Sequence, residues 1–209
     1  PSPLIRSLGF LFDSNLSLTP QILFVSKSCY FYLRRIKQLL PFLDDPSLQL
    51  LVSSLVLSRI DYCNSLDYGL PDTILYPLSK AFNSAARIVS RTSYTSHISP
   101  SQVLLHWLPL KYRVIFKICL IMFKIKNCPS PLYLINLINN PRRSGLRSSS
   151  RNHSSIFTVK HAFAKRSFSY SGPFLWNSLP PSLTNLTSLT VFRRGLKTYL
   201  FGKFVTERH

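Results

Sequence analysis

Apolar residues recur at intervals of three and four along residues 19 to 40, which is the spacing of an amphipathic helix. Thr19 supplies a capping hydroxyl and Pro20 suits the first helical position, so this pair marks the start of the predicted helix. Pro41 marks its end, because proline cannot continue the helical hydrogen bonding. The predicted inner face consists of Ile22, Val25, Cys29, Leu33, Ile36 and Leu40.

Two more helices follow at short intervals. Asp44, Asp45 and Pro46 form a second start signal, and we expect a helix from Pro46 to about Leu66. A third helix is predicted from near Asp72 to about Arg91, and its expected inner face is Leu75, Leu78, Phe82, Ala85 and Val89. Three helices joined by short loops predict a compact helical bundle.

The bundle is flanked by segments of different character. Residues 1–18 are apolar and rich in turn residues, which predicts a strand or hairpin. Downstream, helices are predicted from Ser99 to His106 or Trp107, from Pro109 to about Lys126 and from about Thr187 to Phe201, with short strands at Ile156–Ala162 and Lys165–Tyr170. The predicted fold is mainly α, with a strand or hairpin segment at 1–18, a bundle at 19–95 and a basic helical region with a short β element at 96–209.

The charge of the chain is strongly unbalanced. Its 209 residues include 26 Lys and Arg but only 7 Asp and Glu, which gives a net charge of +19. No acid occurs between Thr73 and Thr206, although 19 Lys and Arg lie there. A long stretch of one sign attracts polyanions, so RNA and/or DNA is the expected partner and an anionic membrane surface the alternative.

Helical geometry aligns several of these cations. At about 100° per residue, Lys80, Arg87 and Arg91 fall within about 40° of one another on the third helix. Arg113, Lys117 and Lys124 align in the same way on the Pro109 helix, and Lys27 aligns with Arg34 on the first. Such stripes suit a phosphate backbone, and they also suit an ordinary solvated helix face, so both interpretations stand.

Residues 139–155 lack any hydrophobic period and are rich in Ser and Arg, which predicts a flexible basic loop. Guanidinium groups on such a loop bind phosphates well when the loop orders on RNA or DNA. The alternatives are a localisation patch or a plain linker. The arginines expected to bind nucleic acid here are Arg142, Arg143, Arg147 and Arg151.

No catalytic motif is recognisable. The chain has no phosphate-binding glycine loop, no zinc-protease helix and no nucleophile elbow, and its few carboxylates are not clustered for two metals. The four cysteines form no C-x-x-C pair, which favours reduced core thiols without a metal or cofactor. We expect a non-enzymatic chain without a transmembrane segment, in the nucleus or cytoplasm.

Six segments taken in order resemble the C-terminal end of LINE-type (non-LTR) retrotransposon reverse transcriptases. The resemblance extends over about residues 4 to 204. The six segments read LGFLFDSNLSL, SRIDYCNSLDYGLP, NSAARIVSRT, HISPSQVLLHWLPLKYRVIFKICLIMFK, KRSFSYSGPFLWNSLP and VFRRGLKTYLF.

The resemblance implies the end of the palm at 1–18, a thumb-like bundle at 19–95 and a basic tail that holds template or target. The catalytic aspartates, the fingers and most of the palm of that family would lie upstream, so the chain would be a non-catalytic part of an RNA-directed DNA polymerase. A decayed transposon relic without activity is a second reading, and a peripheral anionic-membrane binder is a third.

Overall fold

The computed structural model describes residues 4–138, 156 and 159–207, and the chain divides into two compact units, Pro1–Leu110 and Lys111–His209. The mainly α fold predicted from the sequence is confirmed. The elements of the first unit are β1 (Leu4–Ser7), β2 (Phe10–Asp13), α1 (Thr19–Leu39), α2 (Asp45–Val52), α3 (Ser58–Asp61), α4 (Asp72–Val89) and α5 (Ile98–Leu104). The elements of the second unit are α6 (Leu110–Asn127), α7 (Leu132–Ile138), α8 (Phe168–Asn177), α9 (Pro181–Thr184) and α10 (Leu189–Thr206).

The chain enters the first unit through a two-stranded antiparallel hairpin. β1 pairs with β2 so that Leu4 faces Asp13 and Ser7 faces Phe10. The two loop residues, Leu8 and Gly9, both have positive φ, at 48° and 82°. A two-residue hairpin loop of this handedness matches the twist of the strands, and glycine adopts it without strain.

The turn between β2 and α1 is held by Asp13. Its carboxylate accepts hydrogen bonds from the backbone N–H groups of Ser17 at 3.0 Å and Leu18 at 2.9 Å. Leu18, with a φ of 61°, precedes the helix without a side-chain cap. The capping role predicted for Thr19 is therefore wrong, because this residue already lies inside α1 and Asp13 ties down the preceding turn.

We expect Asp13→Asn to change how stability depends on pH. Burial acts to raise the pKa of Asp13, but hydrogen bonds from Ser17 and Leu18 outweigh it, so this pKa is lowered. The carboxylate then stabilises the fold fully above its unfolded pKa of about 3.9, and this contribution is lost as pH falls through the lower folded value. Urea denaturation across the acidic range should show a smaller acid-induced loss for the variant. An unchanged profile would contradict this role of Asp13.

The core of the first unit lies between α1, α2 and α4. The face of α1 predicted from its periodicity is the buried one, with Ile22, Cys29, Leu33 and Ile36 at most 4% exposed. Leu78, Phe82 and Ala85 of α4 are buried in the same cluster, together with Leu48 and Val52 of α2. Trp107 follows α5 and packs on Phe82, with 5.8 Å between ring centres.

The second predicted helix is shorter and less regular than expected. Asp44 caps α2 by accepting a hydrogen bond from the backbone N–H of Ser47, as its sequence signal predicts. The helix continues through a π-helical stretch, Ser53–Leu57, and α3 ends at Asp61 rather than near Leu66. The chain cannot continue as a helix because Tyr62 is extended and Cys63 has a φ of 54°.

An aromatic cluster forms the core of the second unit. The rings of Phe123 on α6 and Phe192 on α10 stack with 4.3 Å between centres. Trp176 of α8 is completely buried, and its ring centre lies 5.7 Å from that of Phe192 and 6.5 Å from that of Phe123. Three helices thus meet around one set of rings.

The strand predicted at Lys165–Tyr170 is wrong. This segment forms the end of a 3-10 turn, Phe163–Arg166, followed by the first turn of α8. None of the described residues in 156–162 is in a strand either. The short alternation of polar and apolar residues was misleading, because the buried positions of α8, which include Ser171, Leu175 and Trp176, recur at helical spacing.

Two glycines within α10 provide a matched test of its packing. A side chain at Gly202 would meet nothing within 4 Å, whereas a Cβ at Gly195 would lie 2.8 Å from Cδ2 of Leu183. Gly202→Ala should therefore stabilise the protein by roughly 0.5–1 kcal/mol, because alanine favours a helix interior. Gly195→Ala should stabilise the protein less than Gly202→Ala does, or should destabilise it, because the buried side chain of Leu183 would have to move. Equal changes in the free energy of unfolding for both variants would contradict this packing.

The cysteines are all unpaired thiols. Cys29 and Cys119 are buried, as expected for core residues, and Cys63 and Cys128 are partly exposed. Burial raises the pKa of Cys29 to about 11 and that of Cys119 to about 12. Both thiols are therefore poor nucleophiles near neutral pH, because the thiolate is the reactive form.

Candidate nucleic-acid interface

A groove runs along the first unit where α1 and α4 pack against each other. Its volume is about 600 Å³, within the range of ligand-binding clefts. We call it the α1–α4 groove. Its lining residues are Tyr30, Leu33, Arg34, Lys37, Leu40, Ser84, Arg87, Ile88, Arg91, Thr92 and Tyr94.

Four of these lining residues are cations and none is an acid. Arg34 and Lys37 come from α1, Arg87 comes from α4, and Arg91 comes from the turn that follows α4. A concave surface lined by charge of one sign concentrates the field within it and attracts an anionic ligand. The acid-free composition after Thr73 helps to produce this arrangement, because α4 and the turn after it contain no partner for these cations beyond Asp72.

Arg34 and Lys37 are the cations of the groove that remain available. Both side chains are exposed, and neither has a hydrogen bond or ion pair within the part of the chain that the structure describes. They are three residues apart on α1 and therefore neighbours on the helix surface. Two adjacent cations without partners form a binding point for phosphate.

Arg87 lines the groove, as its predicted role requires, and it also holds the adjoining loop. Its Nη2 donates to the carbonyl of Ser96 at 3.2 Å, and its guanidinium lies 5.2 Å from the ring centre of Tyr94. Its Nε is buried and has no hydrogen-bond partner among the described residues. A buried donor without a partner is costly, so this contact of Arg87 with the loop carries a local penalty.

Arg91 lies in the groove but not on the predicted helical stripe. α4 ends at Val89, and Arg91 takes a left-handed conformation with a φ of 51°. The N–H of Thr92 bonds to the carbonyl of Arg87 and that of Arg91 to Ile88, which closes the helix as a Schellman motif. The Arg91 side chain pairs with Asp45 at 3.1 Å and bonds to the carbonyl of Leu43 at 3.0 Å, so it is already occupied.

Lys80, the third member of the predicted stripe, is exposed one turn before Ser84 on α4. Its ammonium lies 4.6 Å from the ring centre of Tyr76. A side-chain hydrogen bond and electrostatic attraction from Tyr76 raise the pKa of Lys80, so the lysine stays charged. Lys80 extends the positive charge of the α4 face, although it is not among the lining residues of the groove.

The predicted cations of the second unit lie on α6. Arg113 and Lys117 are half-buried, and Lys124 is exposed. These three residues do not line the α1–α4 groove. Exposed Arg193, Arg194 and Lys197 on α10 add to the positive surface of this unit. The predicted loop arginines, Arg142, Arg143, Arg147 and Arg151, lie outside the described residues.

Sequence reasoning aligned Arg34 with Lys27 but overlooked Lys37 and Tyr30. The signal was present, because Tyr30, Arg34 and Lys37 are spaced by four and three and therefore share one face of α1. What the pattern along one helix could not indicate is that this face lies beside Arg87 and Tyr94. That proximity depends on how α1 and α4 pack.

Two other features bear on function. Among the described residues, no group of three or more His, Cys, Asp or Glu is placed to hold a metal ion. No single described helix has the length and hydropathy of a membrane span, whereas the pair Leu110–Asn127 and Leu132–Ile138, bent by 107°, meets both criteria together.

Comparison of the chain with protein-family models, with curated proteins and with solved structures finds no match.

Proposed function

We propose that this chain binds nucleic acid through the α1–α4 groove, as a non-catalytic thumb and downstream part of a LINE-type reverse transcriptase. The observation that carries the proposal is a groove of about 600 Å³ lined by four cations and no carboxylate. Each phosphate that such cations neutralise releases condensed counterions, which drives binding. RNA template and DNA target both offer this backbone, and the remaining basic helices add to the attraction.

The shape of the groove favours nucleic acid over a membrane surface. A bilayer surface is broad and presents its anionic headgroups in one plane, so it reaches exposed convex helices more readily than the floor of a groove. A flexible phosphodiester chain can follow a groove, and its phosphates repeat at short intervals. The available cations, Arg34 and Lys37, are placed for such a chain.

Fluorescence anisotropy of the intact chain with a labelled RNA hairpin and a nicked DNA duplex, over a series of salt concentrations, tests the proposal. The logarithm of the association constant should fall linearly with the logarithm of salt, by about 0.9 per phosphate contact on duplex DNA. Flotation with vesicles that contain phosphatidylserine provides the comparison. A flat salt dependence, or vesicle binding without binding of RNA or DNA, would refute the proposal.

A further inference from the structure

Two tyrosines stand beside the cations of the α1–α4 groove. Tyr30 is 37% exposed and Tyr94 is 76% exposed, so both rings present area to a ligand. The lining also includes the apolar side chains of Leu33, Leu40 and Ile88. Binding of phosphate alone requires neither aromatic rings nor an apolar lining. Flat π-faces beside cations are the arrangement that holds unpaired bases.

The order of residues along α1 repeats this combination. Tyr30, Arg34 and Lys37 follow one another on a single face, an aromatic ring first and two cations after it. Neither Arg34 nor Lys37 has a partner among the described residues, whereas Arg87 and Arg91 are held by the loop and by Asp45. The phosphate contacts therefore fall to the α1 cations, and a base next to that phosphate can reach a tyrosine.

The ring of Tyr94 already contacts a cation of the protein. The Arg87 guanidinium lies 5.2 Å from its ring centre, which fixes the position of the ring and places a positive charge near it. The loop that carries Tyr94 is tied back by the Arg87 bond to Ser96 and by a hydroxyl contact between Thr92 and Ser101 at 3.2 Å. The ring thus stays over the groove although most of it is exposed.

We propose that the α1–α4 groove takes unpaired nucleotides, with bases stacked on Tyr94 and Tyr30 and phosphates on Arg34 and Lys37. This proposal rests on the proposed nucleic-acid function and narrows it to single-stranded RNA or DNA. A duplex presents only its backbone to the groove, because its bases are paired and stacked inside the helix. The preference for single strands comes from the tyrosines and is independent of base identity, since every base has a π-face.

The test compares three ligands of equal phosphate number on the intact chain: an oligouridine of about twelve nucleotides, an abasic strand of the same length and a duplex. At one salt concentration, the oligouridine should bind at least ten times more tightly than the abasic strand and more tightly than the duplex. Tyr94→Leu should weaken oligouridine binding roughly ten-fold and leave abasic binding unchanged. Tyr94→Phe should retain the affinity, because the ring persists.

Tyr133→Leu is the matched control, because Tyr133 is 66% exposed on α7, far from these residues in the sequence. Equal affinity for the oligouridine and the abasic strand, or a duplex bound as tightly as the oligouridine, would overturn the single-strand proposal. If the affinity for all three ligands nevertheless fell steeply with salt, the proposed nucleic-acid function would still be supported. Absence of binding to every ligand would refute both.

Discussion

Replacing Arg34 and Lys37 together with alanine is expected to weaken nucleic-acid binding roughly 100-fold at low salt. Hydrogen bonds to charged groups contribute about 1.5–3 kcal/mol each, and these two cations have no other partners among the described residues. The log–log salt slope should also become shallower by about 1.4 on a single strand, since two phosphate contacts are lost at about 0.7 each. Anisotropy over a salt series measures both quantities.

Arg35→Ala is the matched control for this double substitution. Arg35 is exposed on the same helix and next to Arg34, but its guanidinium lies 5.6 Å from the ring centre of Phe31 and it does not line the α1–α4 groove. Arg35→Ala should change the affinity for nucleic acid by less than about three-fold, because it removes only one surface charge outside the groove. A loss for Arg35→Ala as large as that for the double variant would show that net charge, rather than the groove, determines affinity.

Trp176→Ala should destabilise the second unit by about 3–5 kcal/mol, the usual cost of truncating a fully buried aromatic residue. The Trp176 side chain is 0% exposed and packs on both Phe123 and Phe192, so its removal leaves a cavity where three helices meet. This loss approaches the whole stability of many small domains. Urea denaturation followed by far-ultraviolet circular dichroism measures the free energy of unfolding.

Phe174→Ala provides the comparison within the same helix. Phe174 is 43% exposed, and its ring stacks on that of Tyr170 with 5.7 Å between centres. A partly exposed pair of this kind contributes about 0.2–0.5 kcal/mol on a helix, so this variant should remain close to the parent protein. If both variants lose the same free energy, the aromatic cluster around Trp176 does not stabilise the second unit as described.

The long amphipathic helices were predictable from the sequence. The apolar periodicity of α1 and α4 is visible in the spacing of residues along each single helix, so no tertiary information is needed to recognise it. The hairpin at residues 4–13 and the Asp44 cap were also predictable, because turn residues and capping side chains act over a few positions. The mainly α fold follows from these local signals.

Helix α8 was not predictable by the same means. Gly172 and Pro173 lie within it, and such a pair normally indicates a turn. Proline removes a backbone hydrogen bond and crowds the preceding turn, which costs about 3 kcal/mol. Burial of Pro173, Leu175 and Trp176 offsets this cost, and Gly172 allows Met122 to approach so closely that a Cβ would lie 2.8 Å from its sulfur. These are tertiary contacts that local patterns do not contain.

The sequence indicated the kind of ligand that the candidate site would bind, but not where the site lies. The excess of cations and the stripes on α4 and α6 indicated a polyanion partner, and Arg87 and Arg91 do line the groove. Arg91 reaches it from the left-handed end of α4 rather than from a helical stripe. Tyr30, Lys37 and Tyr94 become neighbours of the α4 cations only through the packing of α1 on α4, which a one-dimensional pattern does not determine.

Photocrosslinking tests most directly whether nucleic acid occupies the α1–α4 groove. A single strand that carries 4-thiouridine would be bound to the intact chain and irradiated, and mass spectrometry would locate the crosslinked peptides. Binding in the groove predicts crosslinks in the peptides that contain Tyr30 and Tyr94, and their loss in the Arg34→Ala, Lys37→Ala double variant. Crosslinks confined to residues 111–209, from a strand that binds the chain, would contradict the groove as the interface.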